Sequence, residues 1–196
     1  GHASIVAGVP PDMFSETGQI WGNPVYNWAA LERDGFRWWI DRIRRQHHLF
    51  DLIRIDHFRA LQAYWAIPGD EETAINGEWI EAPGDELLSQ LRSSLGELPF
   101  VAEDLGYITK EVDQLREKHH LPCMRVLQFA FDGKDDNPHL PERYSSNTAV
   151  FTGTHDNDTV VSWFDDLHPE AQDFIRQKLG ITADESILDA MVETVL

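Results

Sequence analysis

Three short strings place acidic side chains where they could do chemistry: Arg54-Ile55-Asp56-His57-Phe58, Val101-Ala102-Glu103-Asp104-Leu105-Gly106 and Thr154-His155-Asp156-Asn157-Asp158. An apolar or β-branched stretch leads into each, so each acid is expected at or just beyond the C-terminal end of a strand. In parallel α/β folds those ends share one face, and active sites sit there. Any one of the three, taken singly, reads more readily as a solvated loop acid. Three in equivalent places point to a site.

Strand alternation puts Arg54 and Asp56 on one side and Ile53 and Ile55 on the other. A fixed cation beside Asp56 lowers a carboxylate's pKa, as a nucleophile requires, whereas Glu103 follows an apolar run whose desolvation raises it, as a proton donor requires. Two carboxylates pushed apart in this way are the working pair of a glycosidase. The plainer alternative is an Arg54–Asp56 ion pair that only orders the strand. His155 and Asp156 together donate and accept hydrogen bonds, which suits a sugar's vicinal hydroxyls. The histidines show neither His-x-x-x-His spacing nor a Cys-x-x-Cys partner motif, so no metal is expected. Phe14, Trp21, Tyr26, Tyr64 and Trp65 fall in loop-like stretches and could stack on pyranose faces, although core packing is the commoner role for any one of them.

The elements that must position these residues follow an α/β rhythm. Residues 5 to 30, rich in Gly, Pro and Asn, read as an ordered loop. Apolar residues at Phe36, Trp39, Ile40, Ile43 and His47 predict one amphipathic helix from about Ala29 to His48. A strand over Phe50 to Asp56 follows. Then come a helix over Asp85 to Ser94, a strand over Pro99 to Ala102, a helix over Lys110 to His119, and strands over Met124 to Phe129 and Ala149 to Thr152. Helices over Pro169 to Leu179 and Ser186 to Val195 close the chain, the last with Ile187, Leu188, Met191, Val192 and Val195 as its apolar stripe. Four strands alternating with helices fit a small open sheet or half of an eight-stranded barrel of about 250 residues.

Composition narrows the partners. Thirty-four acidic against 16 basic side chains give a net charge of −18, which repels nucleic acid backbones and anionic membranes. The lone Cys123 cannot form an internal disulfide, so a reducing, cytoplasmic setting is expected. No apolar run approaches bilayer length, no secretory h-region is present, and residues 1–4 read as a cloning remnant ahead of one domain over 5–196.

With Gly18-Gln19-Ile20-Trp21-Gly22-Asn23-Pro24, Ala63-Tyr64-Trp65 and Thr152-Gly153-Thr154-His155-Asp156-Asn157-Asp158-Thr159 added to the acidic strings, the chain resembles the amylomaltases and plant disproportionating enzymes. These are 4-α-glucanotransferases related to the α-amylase clan. The resemblance implies a TIM-barrel part, roughly strands four to seven after an N-terminal loop segment, with both sheet edges open to self-association. Inward-facing Ile53, Ile55 and Val126-Leu127 would then be partly uncovered. It implies Asp56 as nucleophile, Glu103 as acid/base and Asp156 as the carboxylate gripping the distorted sugar. Arg54, His57 and His155 would support the cleavage subsite, and Gln19, Trp21, Asn23 and Phe14 would line the glucan groove. Malto-oligosaccharides and a glucose acceptor are the implied partners, with no cofactor. An α-amylase-like hydrolase and a non-catalytic glucan-binding fragment are the alternatives. Met13, Ala60, Cys123 and Ser162 depart from the family pattern without touching the three carboxylates.

Overall fold

The computed structural model describes residues 3–12 and 15–196; Met13 and Phe14, and with Phe14 one expected groove residue, lie outside the described residues. The chain divides into two compact units, Gly1–Leu121 and Pro122–Leu196.

The first unit opens with strands where a loop was expected: β1 (Ile5–Val9) and β2 (Gln19–Pro24). They join β4 (Ala63–Pro68) and β5 (Glu78–Glu81) in an antiparallel sheet of order β2-β1-β4-β5. The glycines that suggested a loop have a different use here. A Cβ on Gly8 would lie 2.0 Å from the Gln19 carbonyl oxygen, so only glycine lets β1 and β2 approach at the register shift between Val6 and Gly8. Pro24 is tolerated because β2 is an edge strand.

The expected long helix is two, α1 (Trp28–Arg33) and α2 (Arg37–His47). Gly35 and Phe36 both take positive φ, 62° and 56°, and break it. Trp39, Ile40 and Ile43 bury the inner face of α2, while His47, expected on that stripe, is exposed. The strand β3 is shorter than expected, Ile53–Ile55, and pairs in parallel with β6 (Phe100–Ala102). Between them runs α3 (Gly84–Leu95), and after β6 comes α4 (Lys110–Lys118). Their apolar faces meet α2 and β6 in a core holding Leu87, Leu88, Leu91, Phe100, Val112 and the fully buried Phe58.

In the second unit β7 (Cys123–Val126) pairs in parallel with β8 (Thr148–Phe151). The strand expected to reach Phe129 instead turns into a 3-10 segment at Leu127. Helices α5 (Val160–Asp165), α6 (Pro169–Leu179) and α7 (Ile187–Val195) pack Val160, Phe164, Ile175, Ile187 and Met191 against Leu127 and Ala130. Thr159 and Ser186 cap α5 and α7 through their hydroxyls. Two expectations fail here. Val126 and Leu127 are fully buried rather than uncovered, and Leu188 and Val192 face solvent, leaving Ile187 and Met191 as the inner stripe of α7.

Candidate active site

The register of β3 on β6 decides the placement of the first two acids. Ile55 faces Ala102, so Asp56 and Glu103 are the next residues on neighbouring parallel strands. The chain then knots around Glu103. The Glu103 N–H donates to the Ile55 carbonyl at 3.0 Å, the Phe58 N–H donates to the Glu103 carbonyl at 3.0 Å, and the His57 N–H donates to Glu103 Oε2 at 2.7 Å. The Leu105 N–H donates to Glu103 Oε1 at 2.9 Å. Both carboxyl oxygens are thereby fixed. Burial nonetheless dominates and raises the Glu103 pKa, with the Leu105 and His57 N–H groups opposing it.

Asp56 stands in a contrasting setting. Its side chain is 80% exposed, and Arg54 Nη2 donates to Oδ1 at 2.6 Å. The alternation expected of β3 holds, with Arg54 exposed and Ile53 and Ile55 partly buried. Two neighbouring carboxyls therefore differ sharply in solvation.

His57 adopts φ 46°, unusual for a residue with a Cβ, and this turn aims its N–H at Glu103. The imidazole is largely enclosed, and its Nε2 has no hydrogen-bond partner among the described residues. Burial, then the Arg59 cation, push its pKa down from 6.5 to about 4, with Asp56 opposing. Trp21 packs edge-on against the ring, centroids 4.7 Å apart, and its Nε1 donates to Gln19 Oε1 at 3.1 Å.

A cavity of about 860 Å³ opens beside this cluster. Asp56, His57, Arg54, Trp21 and Asn23 line it, and Tyr26 and Tyr64 add the aromatic surface expected of them. Trp65 does not line it; that indole packs on Trp79 and donates to the Ala74 carbonyl. Trp38, Trp39 and Arg42 also line the cavity, with the guanidinium 5.2 and 5.4 Å from the two indole centroids. Their helical spacing reads as core packing, and the exposure of Trp38 and Arg42 separates them from it.

The third acid belongs to the second unit. Asp156 follows β8 in a tight turn: the Thr154 N–H and hydroxyl both donate to Asn157 Oδ1 at 2.9 Å, and the Asp156 N–H donates to Thr154 Oγ1 at 3.2 Å. His155 Nε2 lies 3.4 Å from Asp156 Oδ2, and both side chains are more than 70% exposed. The pair is thus presented to solvent beyond a strand end, as its sequence position implied.

A chain of mixed α/β architecture with acids just past the ends of parallel strands is the class these observations define. Within it, the 4-alpha-glucanotransferase family model matches residues 2–196, and the chain belongs to that family. The 4-alpha-glucanotransferase of Synechocystis is 51% identical over 189 residues, 95% of this chain and 37% of its own length. The chloroplastic/amyloplastic one of Solanum tuberosum is 48% identical, over 98% of this chain and 34% of its own. Among solved structures, the amylomaltase of Streptococcus agalactiae in complex with acarbose superposes with a TM-score of 0.93 at 38% identity, over 98% of this chain and 39% of that one. The chain thus spans a little over a third of the length of the relatives it matches.

Proposed function

We propose that this segment carries the catalytic carboxylates of an enzyme that moves α-1,4-glucan segments between malto-oligosaccharides by a retaining double displacement. The observation that carries the reading is the pairing of exposed Asp56 with desolvated Glu103 immediately after the matched ends of β3 and β6. Neighbouring strands lie about 4.8 Å apart. A retaining displacement needs the two carboxyls roughly 5–5.5 Å apart, a span that acids leaving neighbouring strands can meet, whereas inverting enzymes need about 6.5–9.5 Å.

In this mechanism Asp56, its lone pairs oriented by Arg54, attacks the anomeric carbon. The C–O bond to the departing glucan breaks, and Glu103 gives that oxygen its proton. Glu103, now ionised, takes the proton from the 4-hydroxyl of an incoming sugar, whose oxygen displaces Asp56 and restores the free carboxylate. Burial favours the protonated Glu103 needed at the first step, and the His57 and Leu105 N–H groups stabilise the carboxylate needed at the second. Asp156 and His155 would grip the sugar hydroxyls, and Gln19, Trp21, Asn23 and Phe14 would line the groove. Trp21 and Asn23 at the cavity support that assignment.

The reading carries the rest of the sequence expectation with it: part of a TIM barrel, strands four to seven, acting without a cofactor on malto-oligosaccharides and glucose in a cytoplasmic setting. Among the described residues no helix is long and apolar enough to cross a membrane. Incubation with maltotriose tests it. A transferase yields glucose together with longer oligomers; a hydrolase of the α-amylase kind yields glucose and maltose without them, and that outcome would refute transfer.

A further inference from the structure

The mechanism makes no use of Arg59, and this residue is placed oddly for an arginine. It is 6% exposed, yet Nε and Nη1 are buried without any hydrogen-bond partner among the described residues, and the guanidinium carbon lies 3.7 Å from the centroid of the Trp79 ring. Arginines are seldom enclosed unless paired. The stack on Trp79 is the principal contact that accounts for its position, with Tyr107 farther off at 5.9 Å.

Its location in the chain gives that contact a use. Arg59 belongs to the 3-10 turn Phe58–Leu61, which His57 begins. Two N–H groups of this stretch hold Glu103, His57 to the carboxyl and Phe58 to the carbonyl. Trp79 sits on β5 and Trp21 on β2, the two outer strands of the antiparallel sheet. One presses on Arg59 and the other on the His57 ring. The sheet therefore grips the turn at two points. His57 at φ 46° is a strained backbone, which persists only where surroundings enforce it.

We propose that Arg59, clamped on Trp79, is a positioning residue that locks the His57 turn against Glu103. The inference rests on the reading of Glu103 as the acid/base. A second effect accompanies the first. The charged groups facing the imidazole are Arg59 from the turn, Asp56 from the end of β3, and Glu103 from the end of β6 through the His57 N–H. Of these, Arg59 opposes a proton on the ring. The clamp thus fixes the donor to Glu103 and keeps a competing charge away from it.

Nuclear magnetic resonance of the 196-residue chain tests this without turnover, so its outcome is independent of the proposed reaction. In Arg59→Met the His57 ring should titrate above the wild-type midpoint, and the His57 and Phe58 amides should exchange at least tenfold faster, with β7 amides unchanged. Arg59→Lys, which keeps a cation to stack on Trp79, should restore both. A residue that only fills space would leave the titration where it was, and an unshifted midpoint with unchanged amide exchange overturns the proposal. Should Arg59→Met fail to fold, Trp79→Leu removes the stack and leaves the cation. Faster His57 and Phe58 exchange is then expected, and unchanged exchange again overturns it.

Discussion

Replacing His57 by asparagine gives a stability change whose size and sign follow from the structure. Burial and Arg59 hold the His57 pKa at about 4 against 6.5 for the free side chain. A depressed basic group binds its proton less readily in the folded state. Its penalty is therefore absent above pH 6.5, grows as pH falls from 6.5 to about 4, and stays constant below that. At about 1.36 kcal/mol per pH unit, the full effect is roughly 3 kcal/mol. Asparagine tolerates positive φ and does not titrate, so it keeps the turn and removes the ionisation. His139, also pushed down to about 4 by burial, is present in both chains and cancels in their difference. Urea unfolding followed by tryptophan fluorescence reports on the first unit, which holds every tryptophan except Trp163. Relative to the His57→Asn variant, the wild type should lose roughly 3 kcal/mol between pH 7 and pH 4. Parallel stability curves across that range would show that the imidazole is neither enclosed nor repelled, and the reasoning would fail.

Other perturbations probe the scaffold. Phe58→Ala empties a fully buried position beside Glu103 and should cost the first unit about 3–5 kcal/mol; a loss below about 1 kcal/mol in urea unfolding would mean the site collapses freely. Gly8→Ala puts a methyl 2.0 Å from the Gln19 carbonyl oxygen, so β1 and β2 must part at a cost on the order of 1–3 kcal/mol. Lost amide protection in β2 is expected, and intact protection would contradict the close approach. Leu49, Phe50 and Leu52, in the stretch leading into β3, are each a little over half exposed, and such exposed apolar side chains favour self-association. Light scattering should show a mass rising with concentration; a monomer at every concentration would rule this out.

The legible parts of the molecule are those where one local signal acts alone. Short apolar or β-branched stretches that end at an acid marked β3 and β6, and the recurrence of Ile187 and Met191 at helical spacing marked α7, whose other side faces solvent. The desolvation of Glu103 followed from the run Phe100-Val101-Ala102, which is buried throughout. Strands β1 and β2 were hidden because every residue of β2 is exposed and Gly8 serves a close approach that only the partner strand reveals. The break between α1 and α2 was masked by Phe36, whose apolar side chain continues the helical period while its backbone leaves it. Arg59 was illegible for a related reason. Its burial depends on Trp79, twenty residues on, and an arginine in a sequence reads as surface.

The claim on which the reaction rests is that Asp56 forms the covalent bond to sugar. In a chain of the relatives' full length carrying this segment, a fluorinated glucosyl donor that forms the intermediate quickly and releases it slowly should leave one hexose mass on the peptide containing Arg54-Ile55-Asp56. Asp56→Asn should abolish that label while glucan binding persists, because the amide keeps the shape and cannot attack. A label on any other residue, or one that survives Asp56→Asn, would contradict the mechanism.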